Sequence, residues 1–438
     1  MGSHPNTRRD GVLYVVPVMP QTFGNGLAMR AAMVLGALAR RFDVHLFVVP
    51  VTGDVGPPSD FVRSSTVRIG GLDLARNVDP LYGLIARVLD PDARARAELA
   101  YPKPYLSRFC TGDSAGYLLE WGSQFSVSAV HVMRLYLAPL AFPFLRRSPA
   151  DRPLCVLDLD EDDVQTCCRL ARLYSELGDR GAAAFATAEA KKYRTFSDRY
   201  LGAFDRVIVS SEPDAVRLAG RFPGARFALV PNAYRPVELI HRRRRRGRRP
   251  GPLRLIFVGT FGYFPNLDAA RFLCREVLPI LRRLSDQEIR IDLVGSGSTA
   301  AMAGFAGRSE VEVHGFAENL APLYAAADVA AVPVRAGGGT RIKILEAFAH
   351  GVPVVTTALG AEGIDADDGV HLLFADDAEA FARACLRLKE VPELAARLVA
   401  HAAELLATRY TPARVDAALA EAYGDPAPPG RNVSRLDP

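Results

Sequence analysis

Short runs of apolar residues alternate along the chain with longer stretches in which apolar positions recur at helical spacing. The first two runs, 14–18 and 44–51, flank an amphipathic stretch at 27–40, which follows a loop containing Gly24 and Gly26. Strand, glycine turn, helix and strand form a βαβ unit. The alternation predicts further strands at 127–132, 155–159, 207–210 and 227–230, and a long helix at 182–201.

The alternation starts again at residue 253. Predicted strands lie at 253–258, 289–294, 311–313, 329–333 and 371–374, and predicted helices at 266–284, 319–327, 379–389, 392–408 and 412–423. Two successive series of βα units indicate an α/β protein with two Rossmann-like domains that face a cleft. We predict domains at 11–233 and 253–408, a linker at 234–252, a helix at 409–425 and a disordered tail at 426–438.

Length and composition agree with two soluble domains. The chain has 438 residues, 49% hydrophobic and 24% charged, which is too long for one ordinary core. The net charge of +5 depends on seven arginines within 241–249, without which the balance is −2. The body of the protein is therefore not a basic surface. No aromatic residue alternates with those arginines, which favours a solvated tether over a site for nucleic acid or anionic lipid.

The cysteines and the apolar segments indicate a cytoplasmic protein. Six scattered cysteines include no C-x-x-C pair, which favours reduced thiols and argues against a zinc site. Residues 1–10 are polar, so we expect no signal peptide. The apolar segment 135–145 is too short to cross a bilayer, and we favour a core position over peripheral contact with a membrane.

The densest candidate chemistry lies in AGGGTRIKILEAFAHGVPVVTT at 336–357. Three glycines, Gly337, Gly338 and Gly339, free the backbone for a close approach to a ligand. Thr340 is the expected N-cap of a helix that ends at Gly351. An anion at the start of this helix would meet free N–H groups, the positive end of the helix dipole, and the cations Arg341 and Lys343.

Glu346 borders the face that this helix is expected to bury. A buried carboxylate needs hydrogen-bond donors, since leaving it without them costs several kcal/mol. One interpretation is a pair with Lys343 within the helix. The other is contact with two vicinal sugar hydroxyls, and the residues alone leave both open.

These features resemble the donor site of the family-4-like retaining glycosyltransferases of the GT-B fold, in a subset with glycine-rich loops. The likeness covers most of 11–425 and is densest after 253. The stretches that carry it, besides 336–357, are FVGTFGYFPNLDAARFL at 257–273, LVGSGS at 293–298, VEVHGFAENLAPLYAAADVAAVP at 311–333, VIVSSEPDA at 207–215 and LVPN at 229–232. In that fold the last helix crosses back onto the first domain.

The resemblance implies roles for particular residues. Glu346 would hold the donor ribose, and Arg341 and Lys343 would act in catalysis on the departing diphosphate. Gly338 stands where the family usually has a second Glu, so this contact with the sugar is not carried over. The other donor-binding residues implied are Gly259, Thr260, Gly295, Gly297, Gly315, Phe316, Gly337, Gly338, Gly339 and Thr340.

Two candidates lie in the first half of the chain. Gly24, Asn25 and Gly26 form a loop that alone indicates a tight turn, and that the resemblance places beside the acceptor or the donor phosphates. His131 ends a predicted strand, where the family has a catalytic-site histidine, often the second of a His-x-His pair; here Met133 holds that second place. A lone histidine is more often structural, so its catalytic role is a hypothesis.

The acidic run 158–163 follows the predicted strand 155–159. Asp158 and Asp160 have the spacing of ligands for Mg²⁺ or Mn²⁺. We favour the other interpretation, an acidic helix start, which the helix dipole stabilises. We expect no metal and no cofactor, because the second domain supplies cations for a diphosphate itself.

Together with the two Rossmann-like domains, the resemblance implies a glycosyltransferase that moves a sugar from a UDP- or GDP-linked donor to a small-molecule or glycan acceptor, with retention of configuration. One alternative is an NAD-dependent dehydrogenase, because GSGSTA at 295–300 matches a dinucleotide fingerprint. Another is a protein that binds a nucleotide sugar without catalysis. The base, the sugar, the acceptor and the oligomeric state are not encoded in any local pattern.

Overall fold

The computed structural model describes residues 9–51, 56–148, 150–235, 251–297, 304–305 and 309–424. These residues separate into two compact units. The first contains residues up to 22, 27–230 and those from 416 onward, and the second contains 23–26 and 231–415. The arginine run, the last three residues of the GSGSTA motif and the tail at 426–438 lie outside the described residues.

The first unit is built on a seven-stranded sheet in the order β3-β2-β1-β4-β5-β6-β7. Neighbouring strands are parallel, with Gly11 to Val16 of β1 paired in register with Asp43 to Val48 of β2. The strands are β1 (Gly11–Val16), β2 (Asp43–Val48), β3 (Arg68–Gly71), β4 (Val127–Met133), β5 (Leu154–Asp158), β6 (Arg206–Val209) and β7 (Phe227–Leu229).

Helices cover both faces of this sheet, as the apolar strands require. They are α1 (Gly26–Ala39), α2 (Asp60–Ser65), α3 (Pro80–Ile85), α4 (Pro91–Ala100), α5 (Gly112–Gly122), α6 (Phe142–Leu145), α7 (Asp163–Glu176), α8 (Arg180–Tyr200) and α9 (Glu212–Arg221). Ser211 caps α9, since its Oγ accepts from the Asp214 N–H at 3.3 Å. The apolar segment 135–145 lies in the core, with Leu137, Leu140 and Leu145 fully buried.

The second unit repeats the pattern with six parallel strands in the order β10-β9-β8-β11-β12-β13. The strands are β8 (Leu253–Val258), β9 (Ile289–Val294), β10 (Val311–His314), β11 (Val329–Val332), β12 (Val354–Thr356) and β13 (Leu373–Phe374). The helices are α10 (Phe264–Phe272), α11 (Leu278–Leu284), α12 (Ala321–Ala326), α13 (Ile342–Ala349), α14 (Ala378–Glu390), α15 (Pro392–Arg409) and α16 (Pro412–Gly424), whose last residues belong to the first unit.

Each sheet reverses its strand order once. The reversal lies between β1 and β4 in the first unit and between β8 and β11 in the second. Loops that leave two such strands diverge to opposite sides of the sheet, and ligands bind in the crevice that this leaves at the carboxyl ends. The Gly24 loop follows β1, His131 lies in β4, Gly259 follows β8, and the triple glycine follows β11. The topology thus places the predicted residues beside the two reversal points.

Two predicted helix starts differ from the structure. The helix expected from Asn266 begins at Phe264, after Tyr263, and a π-helical turn at Leu273–Val277 joins α10 to α11. The helix expected from a Thr340 cap begins at Ile342, with Arg341 at the cap position and no side-chain capping bond. The glycine loop keeps Thr340 out of the helix, because Gly339 adopts a φ of +69° immediately before it.

None of the helices in the described ranges combines the length and apolarity needed to cross a bilayer. The six cysteines are free thiols, of which Cys110, Cys155, Cys274 and Cys385 are buried.

Candidate functional site

The triple glycine forms a tight loop between β11 and α13. Gly337 has a φ of +111°, which side-chain-bearing residues rarely adopt. A Cβ built on it would lie 3.1 Å from Nη2 of Arg341 and 3.2 Å from the hydroxyl of Tyr263. Because Gly337 has no side chain, the guanidinium of Arg341 and the hydroxyl of Tyr263 can both approach its backbone closely.

Arg341 stands at the N-terminus of α13 with most of its donors unused. Its Nη1 donates to the carbonyl oxygen of Gly338, which is the residue at the position of the family's usual Glu. Among the described residues, its Nε and Nη2 are buried without a hydrogen-bond partner. Orphaned buried donors on a permanent cation are costly unless something binds them. The arrangement therefore fits an anion that accepts from both atoms.

Lys343 is the second residue of α13, and its side chain contacts the loop after β8. Its Nζ donates to Oδ1 of Asn266 at 2.5 Å and lies 4.6 Å from the ring centroid of Phe257. Asn266 in turn donates to the carbonyl oxygen of Thr260 at 2.9 Å. Burial, and then the positive charge of Arg341, lower the pKa of Lys343 to about 7. This ammonium sheds its proton far more readily than an ordinary lysine.

Glu346 does not use Lys343 as its hydrogen-bond partner. Its Oε1 accepts from the hydroxyl of Tyr234 at 2.8 Å, and its Oε2 accepts from the hydroxyl of Tyr324 at 3.1 Å. The residue is 8% exposed. Burial raises the pKa of the Glu346 carboxyl, and the two tyrosine hydroxyls oppose that rise because they hydrogen-bond the charged form.

The loops after β8, β9 and β10 pack against one another beside α13. A Cβ on Gly295 would lie 1.9 Å from the carbonyl oxygen of Gly259, so only glycine fits there. The Gly295 N–H donates to the carbonyl oxygen of Gly315 at 3.1 Å. Gly297 has a φ of +73°, and Phe316 beside Gly315 is half exposed. The structure thus brings the predicted donor-binding glycines together at the carboxyl edge of this sheet.

The Gly24 loop also groups with the second unit. Residues 23–26 cluster there, and the ring of Phe23 lies 6.1 Å from that of Phe316. A Cβ on Gly26 would lie 3.8 Å from Ile342, the first residue of α13. The loop therefore lies near the start of the helix that carries the two cations.

His131 is completely buried in the first unit. Its Nδ1 lies 2.8 Å from the hydroxyl of Tyr423 in α16, and its ring packs edge-on against Tyr14. Its Nε2 lies 3.7 Å from Oδ2 of Asp158. In this arrangement the imidazole has no exposed surface, and its catalytic role stays a prediction.

The carboxylates of the acidic run after β5 form ion pairs with two arginines, Arg30 and Arg134. Oδ1 of Asp158 accepts from Nε and Nη2 of Arg30, at 3.2 and 2.9 Å. Burial opposes ionisation of Asp158, but Arg30 and His131 outweigh it and lower the pKa to about 2. Nη2 of Arg134 donates to Glu161 at 2.7 Å and to Asp163 at 2.5 Å.

A different group of side chains has the spacing of metal ligands. Ligand atoms of Asp292, Glu312 and His314 lie within 4.8 Å of one another on paired strands β9 and β10. His314 Nε2 lies 2.8 Å from Oδ1 of Asp292, and this hydrogen bond explains the proximity of those two residues.

Four side chains that organise these sites are not among the site residues predicted from the sequence. They are Tyr234, Asn266, Tyr324 and Tyr423, each bonded to a residue that the sequence singled out. The contacts join positions as far as 292 residues apart, so no local pattern reveals them.

Residues 252–390 match the family model described as Glycosyl transferases group 1. That region holds the triple glycine, both cations, Glu346 and the loops that pack around them. The chain is a glycosyltransferase of the GT-B fold. The predicted fold class and enzyme class are thereby confirmed.

Solved structures share this fold over nearly the whole chain. Sucrose-phosphate synthase from Thermosynechococcus elongatus has a TM-score of 0.65 and 16% identity, covering 95% of this chain and 98% of that one. An α,α-trehalose-phosphate synthase (UDP-forming) from Burkholderia xenovorans in complex with glucose-6-phosphate has a TM-score of 0.62 and 15% identity. The match covers 94% of this chain and 99% of that one. Anabaena HepE in complex with UDP and glucose has a TM-score of 0.55 and 13% identity, and the match covers 95% of this chain and 100% of that one. No curated protein matches this glycosyltransferase by sequence.

Proposed function

We propose that this glycosyltransferase takes its sugar from a nucleoside diphosphate sugar, UDP- or GDP-linked, and transfers it with retention to a small-molecule or glycan acceptor. The assignment of the donor rests on the surroundings of Arg341. Two of its guanidinium nitrogens are buried without partners, directly after a glycine loop and at the start of α13. A diphosphate offers oxygens that accept from both nitrogens in a fork.

The chemistry follows from where charge develops. Negative charge accumulates on the diphosphate as the bond to the sugar breaks, and Arg341 and the N–H groups at the start of α13 stabilise it there. Lys343 adds a second positive charge in its protonated form. Gly338 supplies no carboxylate to the transferring sugar, so the sugar is positioned by other groups. The names of two structural neighbours, one UDP-forming and one holding UDP and glucose, support the donor class.

Glu346 is assigned to the donor ribose. Its two oxygens have the spacing to accept from vicinal hydroxyls, and the tyrosines that hold it leave part of its acceptor capacity unused. One helix would then have two separate functions. Arg341, at its N-terminus, would bind the diphosphate, and Glu346, about one turn later, would bind the ribose.

A thermal-shift panel of UDP, GDP, dTDP, ADP and NAD tests the donor class. A nucleotide at 100 times its Kd stabilises the folded state by about 2.7 kcal/mol, so we expect a clear rise in Tm with UDP or GDP. Arg341→Ala should reduce the response. Arg290→Ala removes an equal charge from an exposed position in the same unit and should leave it unchanged. A response to NAD alone would refute the proposal and favour a dehydrogenase.

Turnover of the bound nucleotide sugar separates an enzyme from a binding protein. Release of UDP or GDP from the donor, accelerated by acceptor, is the expected result. Tight binding of the donor with no release under any acceptor would favour the non-catalytic alternative. The configuration of the product at the anomeric carbon, read by NMR, tests retention.

A further inference from the structure

The carboxylate of Glu346 is fixed from two sides by tyrosines that belong to different segments. Tyr324 lies in α12, and Tyr234 lies in the segment that enters the second unit after Val230. Their hydroxyls donate to different oxygens of the carboxylate, at 3.1 and 2.8 Å. The carboxyl plane is therefore defined by two bonds rather than by the rotamer of Glu346 alone.

Each tyrosine is itself held in place. The ring of Tyr324 stacks on His350 at a centroid distance of 4.6 Å and an interplanar angle of 9°. His350 lies four residues after Glu346, so ring and hydroxyl of Tyr324 contact the same face of α13. The N–H of Tyr234 donates to the carbonyl oxygen of Tyr410 at 3.0 Å. The two phenols are thus part of the packed unit and not mobile surface groups.

An ionised carboxylate offers about four lone-pair sites, two on each oxygen. The two tyrosines use one site on each oxygen and leave one on each. Two acceptor sites on two oxygens match two vicinal hydroxyls, as in a ribose with both its 2′ and 3′ hydroxyls. A 2′-deoxyribose would leave one of these sites unpaired, and an unpaired buried acceptor is penalised.

We propose that Tyr234 and Tyr324 position the Glu346 carboxylate to accept from both ribose hydroxyls, and that this arrangement makes the donor site selective for ribonucleotides over 2′-deoxyribonucleotides. The inference rests on the proposed function, because it assigns a positioning role within the same donor site. The tyrosines do not touch the reacting atoms.

The test compares the affinities of UDP and dUDP, with GDP and dGDP as a second pair, by calorimetric titration. Wild type should bind the ribonucleotide about ten-fold or more tightly than its deoxy analogue. Glu346→Gln should compress that ratio towards one. Tyr234→Phe and Tyr324→Phe should each compress it at least about three-fold, because one fixed bond to the carboxylate is lost and its orientation relaxes.

A pH profile gives a second readout that a merely structural role would not move. Removing either hydroxyl removes a bond to the charged form of Glu346, so the pKa of its carboxyl rises further. The affinity for the ribonucleotide should then begin to fall at a higher pH on the acid side in both tyrosine variants than in wild type. Affinity for the deoxy analogue should follow the same direction with a smaller amplitude.

Tyr410→Phe is the matched control. Tyr410 is also a buried tyrosine of the second unit, and its hydroxyl accepts from the Asp365 N–H at 2.7 Å without touching Glu346. Loss of this hydroxyl should change stability but leave the ratio of affinities as in wild type. Thermal unfolding of every variant shows whether it is folded. If Tyr324→Phe does not fold, Tyr234→Phe still tests the inference, because Tyr234 is the less buried of the two.

Three outcomes would overturn the inference, and each has a different cause. Tyrosine variants that weaken UDP and dUDP equally, while Glu346→Gln compresses the ratio, would show that the ribose contact is real but that the tyrosines do not position it. An unchanged ratio in Glu346→Gln would show that Glu346 does not hold the ribose. No binding of any nucleoside diphosphate by wild type would mean that the proposed function itself fails.

Discussion

Arg341 and Lys343 are two residues apart and carry the same formal charge, but their surroundings differ. Arg341 keeps two buried donors without partners among the described residues, whereas Lys343 is hydrogen-bonded to Asn266. The sequence had offered a pair between Lys343 and Glu346, and the structure gives the lysine another partner. The two cations therefore should not be interchangeable.

Replacing Arg341 should affect the chemical step more than nucleoside binding. Because the diphosphate gains charge towards the transition state, we expect Arg341→Ala to lower kcat by about 10² or more. Affinity for the free nucleoside should stay close to wild type. Arg341→Lys restores the charge but not the planar fork, so it should recover only part of the loss. Steady-state kinetics with nucleoside titrations measure both effects; a larger kcat loss in Lys343→Ala than in Arg341→Ala would reverse the assignment.

The protonation of Lys343 should make donor affinity pH-dependent. Its pKa of about 7 in the free protein means that it is charged below pH 7 and neutral above. A bound diphosphate favours the charged form and raises this pKa. Affinity should therefore fall as the pH rises above 7, by up to about ten-fold per pH unit for one linked proton.

UDP-glucose is the suitable probe for this effect, because its diphosphate carries no group that titrates near neutral pH. Titrations from pH 6 to 9 should show the fall in wild type. Lys343→Arg stays charged throughout and should give a flat profile. Constant affinity in wild type across this range would contradict the role of Lys343 at the phosphates.

The loops that follow β8 and β9 lie so close together that their backbones are in direct contact. Gly295 combines a φ of +144° with a carbonyl oxygen 1.9 Å from the position of a Cβ. Gly295→Ala must push the Gly259 loop away, and we expect a loss of about 1–3 kcal/mol in the free energy of unfolding. Donor affinity should fall as well, since the displaced loop carries Thr260.

Gly262 supplies the control for that substitution. It lies in the same loop region, its φ is outside the left-handed range, and a Cβ on it would meet nothing within 4 Å. Gly262→Ala should therefore leave Tm close to wild type in the same denaturation experiment. Equal losses in the two variants would show that the close approach at Gly295 is not the cause.

The last helix contributes a buried polar contact to the core of the first unit. The Tyr423 hydroxyl in α16 and Nδ1 of His131 lie 2.8 Å apart, and both residues are buried. Tyr423→Phe leaves that nitrogen without its partner, at a cost of about 1–3 kcal/mol. Thermal unfolding should show a lowered Tm, whereas Tyr117→Phe at a half-exposed position should not. A Tyr423→Phe protein as stable as wild type would mean that water or another group replaces the hydroxyl.

For the whole enzyme, we expect activity to survive an excess of chelator. The diphosphate has Arg341, Lys343 and the start of α13 as its positive partners, and Asp158 is buried against Arg30. Activity measured with and without EDTA should agree within about two-fold, well below the 10²-fold effect expected for a charge-stabilising group. Loss of activity that Mn²⁺ restores would instead indicate a metal held by acidic side chains.

The sequence by itself determined the local features of this protein. Hydrophobic periodicity located most strands and the helices of the second unit within a few residues, because burial on a sheet or a helix face imposes its own period. It did not predict β3 or the helices α2 to α7 of the first unit. The glycine loop with Arg341 and Lys343 was also evident, since turn, cations and helix are adjacent in the chain. Helix starts were less certain: Thr340 and Asn266 have the side chains of N-caps, but neither occupies the cap position.

Only the tertiary structure decided which partner each candidate side chain has. Glu346 is bonded to Tyr234 and Tyr324, His131 faces Tyr423, and the acidic run meets Arg30 and Arg134. These pairings depend on strand order and helix packing, which bring distant segments together at the carboxyl ends of the sheets. A carboxylate or an imidazole takes its pKa, its orientation and its accessibility from such neighbours, and a linear pattern contains no information about them until the chain is folded.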